Sequence, residues 1–191
     1  ASLLMRKKKR RLFMSRNKKI ILLSMLLATE IVLSRFLSIK TPLLKISFAF
    51  IPTCLSAIWL GPKWTVLLNT LGDLIGAILF PVGAYFIGYT ISAAISGFIY
   101  GVLLYKKDED EFSQTKFLIR LIISVCLVTL ICNIGLNTLW ISITTGKAYI
   151  VLLGTRIIKE VIMIFVQIIV IAFLEKMLRK PFNTYIRSGN D

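Results

Sequence analysis

Charged side chains lie inside the apolar segments of this chain, and they are the residues best suited to bind a polar ligand. Arg35 and Arg156 each stand within runs of aliphatic residues. An arginine binds a carboxylate through two parallel hydrogen bonds, whereas an uncompensated charge in an apolar environment is costly. We therefore predict that these cations meet an anionic ligand or an internal ion-pair partner, with contact to lipid headgroups as the alternative.

Two acidic residues, Asp73 and Glu160, are the predicted counter-ions for these arginines. Glu160 follows Arg156 by four residues, which places both on one face of a helix. A simple pair within that helix is therefore the alternative to a ligand site. Asp73 is interpreted as a counter-ion to Arg35 or Arg156, with direct contact to a ligand as the second possibility.

Amide and aromatic residues recur on one face of another predicted helix, at Thr129, Asn133, Asn137 and Trp140. Asn137 is predicted to bind the polar edge of a heteroaromatic ligand, with Trp140 stacking beside it. Hydrogen bonds between helices are the alternative for the asparagines. Tyr85 is predicted to close a pocket, although an aromatic belt at the membrane surface would also explain it.

Hydrophobic helices must position these residues, because 57% of the 191 residues are hydrophobic and the mean hydropathy is +0.81. Within lipid, a helix satisfies its own backbone hydrogen bonds. The sequence therefore predicts an all-α membrane protein with a six-transmembrane-helix bundle, formed by residues 19–38, 46–60, 64–80, 84–104, 117–142 and 148–178.

Basic residues give this bundle a predicted direction. Nine of them, and no acidic residue, lie between Arg6 and Lys19. Such a segment stays in the cytoplasm beside anionic lipid headgroups, which predicts that both termini are cytoplasmic. We accordingly divide the chain into a basic cytoplasmic segment, a transmembrane substrate-binding domain and a basic cytoplasmic tail, at residues 1–18, 19–178 and 179–191. This orientation places Arg35, Lys45 and Arg156 toward the outer side.

Several function classes are disfavoured by the composition. The chain has no histidine, no Walker loop and no paired aspartate motif, so we predict that it is not an enzyme and uses no cofactor. Its three cysteines have no metal-ligand spacing, which argues against a metal site. The net charge of +15 arises largely from the basic amino-terminal segment, so we predict no nucleic-acid binding.

The segment from Arg35 to Pro52, RFLSIKTPLLKISFAFIP, resembles the junction between helices 1 and 2 in the S components of energy-coupling-factor (ECF) transporters, and the folate-specific members in particular. The run from Leu71 to Leu79 is similar to helix 3 of the same family. The resemblance implies a subunit in the bacterial plasma membrane that captures a vitamin from outside with high affinity. It also implies association with a transmembrane coupling protein and two cytoplasmic ATPase subunits.

A folate ligand would suit the residues described above, because it joins a flat pterin ring to a tail with two carboxylates. If the resemblance holds, Arg35 and Asn137 lie near the pterin. Stacking or wall residues would be Trp140, Phe48 and Tyr85, and the residues meeting carboxylates or polar edges would be Lys45 and Arg156.

The family's docking face for its partner corresponds to a pair of small residues on helix 1, Ser24 and Ala28. Two other functions are kept as alternatives. One is an S component for another vitamin, related to flavin or thiamin. The other is a self-sufficient secondary transporter, in which Asp73 or Glu160 would couple ion movement to transport.

Overall fold

The computed structural model describes residues 15–40, 45–81, 85–105 and 114–187, and the side chains of residues 15–38, 47–81, 85–105 and 114–178. This part of the chain forms six helices and one short β-hairpin. The helices are α1 (Arg16–Arg35), α2 (Phe50–Trp59), α3 (Pro62–Leu79), α4 (Ile87–Leu104), α5 (Gln114–Thr145) and α6 (Tyr149–Arg187). The hairpin consists of β1 (Ser38–Lys40) and β2 (Lys45–Ser47).

The number of helices agrees with the sequence prediction. Three of the described helical segments are long and apolar enough to cross a membrane, judged by length and composition: Ile87–Leu104, Gln114–Thr145 and Tyr149–Leu178. Helix α2 is apolar but has only 10 residues. In α1 the run of apolar residues is interrupted by the charged Glu30 and Arg35, and in α3 it is interrupted by Asp73. A full crossing by each of the six helices therefore stays a prediction.

The connection between α1 and α2 is a hairpin where the sequence indicated a simple turn. Its strands pair antiparallel, with Ser38 opposite Ser47. The Ser47 hydroxyl donates a hydrogen bond to the Leu33 carbonyl at 3.3 Å, which ties the hairpin to α1. Because β2 takes up residues that were predicted to be helical, α2 begins at Phe50. Pairing between the strands satisfies backbone groups that a bare turn would leave without partners.

Helices α3 and α4 pack closely because α4 presents glycines to α3. A Cβ added at Gly97 would lie 2.8 Å from the Thr65 carbonyl oxygen, and one at Gly101 would collide with Pro62. Gly61, which precedes α3, has a positive φ of 86° that favours glycine. This turn and the two contacts hold the first half of α3 against the last half of α4.

Helix α5 contains a π-helical segment at Thr129–Leu136. The carbonyl of Asn133 within this segment accepts hydrogen bonds from the Thr138 hydroxyl at 3.2 Å and from the Arg156 guanidinium of α6 at 3.3 Å. Such segments widen one turn of a helix and are frequent at functional sites. The wider turn rotates the following residues relative to a regular helix, so it changes which of them face α6 and the interior.

The apolar core occupies the end of the bundle where α4 finishes and α5 begins. Leu104, Leu121, Val125 and Ile171 are fully or almost fully buried there. A second buried cluster around Leu23, Leu26 and Leu68 joins α1 to α3. The opposite end of the bundle is less tightly filled and contains a large cavity.

Candidate functional site

A cavity of about 720 Å³ opens between the helices, and all six of them contribute lining residues. Asp73 of α3, which the sequence predicted as a counter-ion or a ligand contact, is among them. Thr53 from α2, Asn69 from α3 and Ser92 from α4 line the cavity as well and were not predicted as site residues. Thr53 and Ser92 are small hydroxyl residues, which are common in helix packing, so their types alone do not indicate a site.

The cavity extends from an exposed mouth to a buried floor. Tyr85, Thr144 and Thr145 line the mouth and are exposed to solvent. At the floor, the Tyr100 hydroxyl donates a hydrogen bond to the Gln167 side-chain oxygen at 3.0 Å, and both residues are buried. The cavity is therefore accessible from one end of the bundle and closed at the other.

Arg35 lies at the last turn of α1 and lines the cavity. One guanidinium nitrogen donates to the Phe80 carbonyl oxygen at 3.2 Å, beyond the end of α3. The guanidinium also lies directly against Gly76, where a Cβ would clash with it. Asp73 interacts with Arg35 electrostatically. That it serves as a counter-ion stays a prediction. Arg35 is thus held against the end of α3.

Asp73 receives a hydrogen bond from Thr90, and Thr90 in turn contacts Tyr85. The Thr90 hydroxyl donates to Asp73 Oδ2 at 2.6 Å, and the Tyr85 hydroxyl lies 2.7 Å from the same Thr90 oxygen. Thr90 is only 6% exposed and does not line the cavity, whereas Asp73 and Tyr85 both do. The chain of hydroxyls connects the mouth to a cavity carboxylate.

Glu160 is the centre of a second polar cluster, on the α5–α6 side. Its carboxylate is 1% exposed and lies 2.5 Å from the Lys159 ammonium. Arg156, the predicted partner, is at 4.0 Å, and the Asn133 amide donates to the other oxygen at 3.1 Å. The nearest cation is therefore the adjacent lysine rather than the residue four positions away.

Asn137 lines the cavity, and among the described residues its side-chain amide has no hydrogen-bond partner. Its neighbour Asn133 is engaged with Glu160, as expected for a residue that connects two helices. The Asn137 amide is therefore available to a ligand. That it binds one stays a prediction.

The aromatic wall differs from the predicted one. Trp140 donates its indole N–H to the Ser92 hydroxyl at 2.9 Å and packs against Phe86, with ring centroids 5.4 Å apart. Phe86 and Ser92 line the cavity and Trp140 lies behind them, so it supports the wall rather than forming its surface. Tyr85 is 50% exposed at the mouth. Tyr89, which the sequence analysis did not select, also lines the cavity.

Two further predicted residues are not part of the described lining. Phe48 is 42% exposed, and its ring centroid lies 6.1 Å from that of Phe50. Phe50 lines the cavity, whereas Phe48 does not. The backbone of Lys45 belongs to β2, but its side chain lies outside the described part of the structure. Ser24 and Ala28 are both exposed on α1, away from the cavity lining.

Glu30 is a buried cavity residue that the sequence analysis missed. Its carboxylate lies close against Gly72 of α3, where an added Cβ would be 2.8 Å from it. The rule that selected Arg35, a charge within an apolar helix, would have selected Glu30 as well. Counting Glu30, the described lining contains three acidic side chains, Glu30, Asp73 and Glu160, and three basic ones, Arg35, Arg156 and Lys159. The acidic and basic side chains of the described lining are therefore equal in number.

These features suit binding of a polar, partly aromatic molecule. The lining combines amides, hydroxyls and paired charges with the rings of Phe86 and Tyr89. Within the described residues, no group of three histidine, cysteine, aspartate or glutamate side chains is placed to hold a metal ion.

Known proteins that resemble this chain belong to one family of transport components. The family described as "ECF transporter, substrate-specific component" matches residues 18–175. A "Folate transporter FolT" of Clostridium novyi is 38% identical over 164 residues, which cover 86% of this chain and 91% of that protein. A protein of the same name in Leuconostoc mesenteroides is 37% identical over 163 residues, covering 83% and 84% respectively.

A solved structure with a similar fold is titled "Crystal structure of FolT bound with folic acid". It has 39% sequence identity and a TM-score of 0.71, and the match covers 80% of this chain and 88% of that one. The members of this family are transport components, which confirms the prediction that the chain is not an enzyme. As the segment from Arg35 to Pro52 predicted, the chain belongs to the family of ECF transporter substrate-specific components.

Proposed function

We propose that this chain captures folate as the substrate-specific component of an ECF transporter. The observation that carries the proposal is its 39% identity, at a TM-score of 0.71, to a FolT crystallised with folic acid. The cavity of about 720 Å³ supports it, since pockets for ligands of this size commonly measure roughly 300–1,000 Å³.

In this proposal Arg35 and Asn137 bind the polar edges of the pterin ring. Arg35 is fixed to the Phe80 carbonyl through one nitrogen, which keeps the side chain in place before a ligand arrives. The Asn137 amide supplies both a donor and an acceptor. Phe86, supported from behind by Trp140, offers the ring a stacking surface.

The glutamyl tail of folate requires cations for its two carboxylates. The described cations of the lining are balanced by three acidic side chains, so the tail needs positive charge from the mouth as well. We propose that Lys45 supplies this added charge and that Arg156 contacts the tail as well. Lys45 follows directly from the resemblance of the hairpin segment, and Arg156 lines the cavity from α6.

The proposal extends to the membrane and to partner subunits. We propose that both termini are cytoplasmic, that the cavity opens to the outside of the bacterial plasma membrane, and that folate is bound with high affinity. A transmembrane coupling protein and two cytoplasmic ATPases would power release to the inside. Ser24 and Ala28 lie on an exposed face of α1 and are proposed to dock the coupling protein.

Binding by the purified protein tests the central proposal. We expect submicromolar affinity for folic acid in detergent, measured by titration calorimetry. Arg35→Ala should weaken binding by about 1.5–3 kcal/mol, the range for a hydrogen bond to a charged group. Lys116→Ala, an exposed cation on α5 outside the cavity lining, is the matched control and should bind like the wild type.

Two results would reject the proposal in different ways. Mass spectrometry that identifies a flavin or thiamin derivative in the purified protein, together with no folic acid binding, would assign another vitamin. Folate uptake by liposomes that contain this chain and no ATPase would instead indicate a self-sufficient secondary transporter.

A further inference from the structure

The hydrogen bonds around Thr90 have a definite direction. A threonine hydroxyl has one proton, and an ionised carboxylate can only accept. The Thr90 proton must therefore point to Asp73 Oδ2, 2.6 Å away. The Tyr85 hydroxyl, 2.7 Å from Thr90, must then be the donor in that contact. Tyr85 therefore donates to Thr90, and Thr90 donates to Asp73, which holds one oxygen of the Asp73 carboxylate in place.

The second oxygen of Asp73 is available to a ligand. Asp73 lines the cavity, and the only hydrogen bond that the described residues give its carboxylate comes from Thr90 to Oδ2. Asp73 also interacts with Arg35 electrostatically. Oδ1 thus belongs to a cavity residue and accepts no hydrogen bond from the described residues, while a buried neighbour holds the other oxygen of the same carboxylate.

The chemistry of folate limits which part of it can meet this acceptor. The glutamyl carboxylates are excluded, because two negative charges at contact distance repel each other. The pterin ring has an amino group and a ring N–H side by side, and such paired donors match a carboxylate in the manner of a guanidinium. Oδ1 accepts one of these two bonds, and the second lone pair of Oδ2, which Thr90 leaves open, accepts the other. These are the donors in folate best suited to Asp73.

We propose that Asp73 is a specificity-determining residue that accepts hydrogen bonds from the amino and ring N–H donors of the pterin, and that Thr90 is the positioning residue that orients it. This inference rests on the proposed function, since it assigns part of the folate site. It changes the interpretation of Asp73 from a counter-ion for Arg35 to a residue that binds the ligand itself.

Two fragments of folic acid test the inference, each used as a competitor against folic acid bound to the purified full chain. Pteroic acid contains the pterin and lacks the glutamate, whereas p-aminobenzoylglutamate contains the glutamate and lacks the pterin. Asp73→Asn should weaken folic acid and pteroic acid by about tenfold to a hundredfold, because a charged hydrogen bond is lost. Binding of p-aminobenzoylglutamate should not change.

Thr90 variants separate positioning from a general structural role. Thr90→Val should weaken the two pterin-containing ligands by about threefold to tenfold, as for loss of neutral hydrogen bonds. Thr90→Ser, which keeps the hydroxyl, should restore binding. In the double variant with Asp73→Asn, Thr90→Val should cause no further loss, because Thr90 acts through Asp73.

A matched control is available in Thr65, which is fully buried and does not line the cavity. Its hydroxyl lies 3.2 Å from the Ser56 hydroxyl and donates to the Gly61 carbonyl at 2.9 Å, so it also makes two hydrogen bonds. Thr65→Val should lower thermal stability and leave the affinities for all three ligands unchanged.

The inference is overturned if Asp73→Asn weakens all three ligands equally, or only those that contain glutamate. It is also overturned if Thr65→Val and Thr90→Val reduce folic acid binding to the same extent. Failure of the wild-type chain to bind folic acid would instead refute the proposed function, and with it the site to which Asp73 is assigned.

Discussion

Replacement of Glu160 by glutamine should destabilise the ligand-free protein strongly. The substitution keeps the shape of the side chain and removes a charge that lies 2.5 Å from Lys159 and 4.0 Å from Arg156. Breaking a buried ion pair by removing one partner costs about 3–5 kcal/mol. We expect the lower end of that range, because the Lys159 side chain keeps 15% of its exposure beside the cavity.

This loss should appear as a lower melting temperature. For a protein of this size, 1 kcal/mol corresponds to about 2–4 °C, so a loss of 3 kcal/mol predicts a decrease of about 6–12 °C. The free thiols of Cys54 and Cys132 are buried, whereas that of Cys126 is partly exposed. With Cys126→Ser in every variant, a thiol-reactive fluorogenic dye in detergent reports unfolding. Lys116→Gln, on the exposed surface of α5, is the control and should melt like the wild type.

A double variant tests the physical cause. Glu160→Gln combined with Lys159→Met removes both members of the closest pair, and such replacements are often neutral or stabilising. The double variant should therefore recover at least half of the lost melting temperature. If it melts no higher than the single variant, or if Glu160→Gln melts within about 2 °C of the wild type, the reasoning about a buried charge pair is wrong.

Three further predictions address the ligand, the packing and the partner. Asn137→Ala should weaken folic acid binding in calorimetry by about 1 kcal/mol, because its amide is free to bind the ligand. Gly97→Ala should destabilise the protein by about 1–3 kcal/mol in thermal melts, because the new Cβ would lie 2.8 Å from a carbonyl oxygen of α3. Ser24→Phe should keep folic acid binding and abolish ATP-dependent uptake, because a bulky ring on this exposed face would block docking.

Each of these has a control or an opposing result. Gly154 has open space around an added Cβ, so Gly154→Ala should not lower the melting temperature, and an equal decrease in both glycine variants would refute the packing explanation. Unchanged calorimetry in Asn137→Ala would remove that residue from the site. Normal uptake with Ser24→Phe would show that the partner docks elsewhere.

Hydropathy was sufficient to predict the six helices, because each apolar run is bounded by charged residues, proline or glycine. It was insufficient at Ser38 and Ser47, whose pairing in a hairpin depends on two segments meeting in space. The π-helical segment at Thr129–Leu136 was also not predictable, since its stabilising contact comes from Arg156 on another helix.

The cavity residues show a similar division. The rule that polar residues within apolar helices face the interior selected Arg35, Asn137 and Arg156, all of which line the cavity. It could not tell the lining from the layer behind it, because both layers are interior. Trp140 was therefore predicted to contact the ligand, but in the structure it lies behind the lining residue Ser92, to which it donates a hydrogen bond.

The arrangement of charges within α6 has a consequence for how the protein is made. Lys159 and Glu160 are neighbours in the chain and pair with each other, so they neutralise one another before any other helix is present. Inserting a helix with isolated charges into the membrane is costly. A pair that forms within the helix lowers this cost at the moment of synthesis. The bond from Asn133 to Glu160 joins α5 to α6, so it forms later, when the inserted helices assemble.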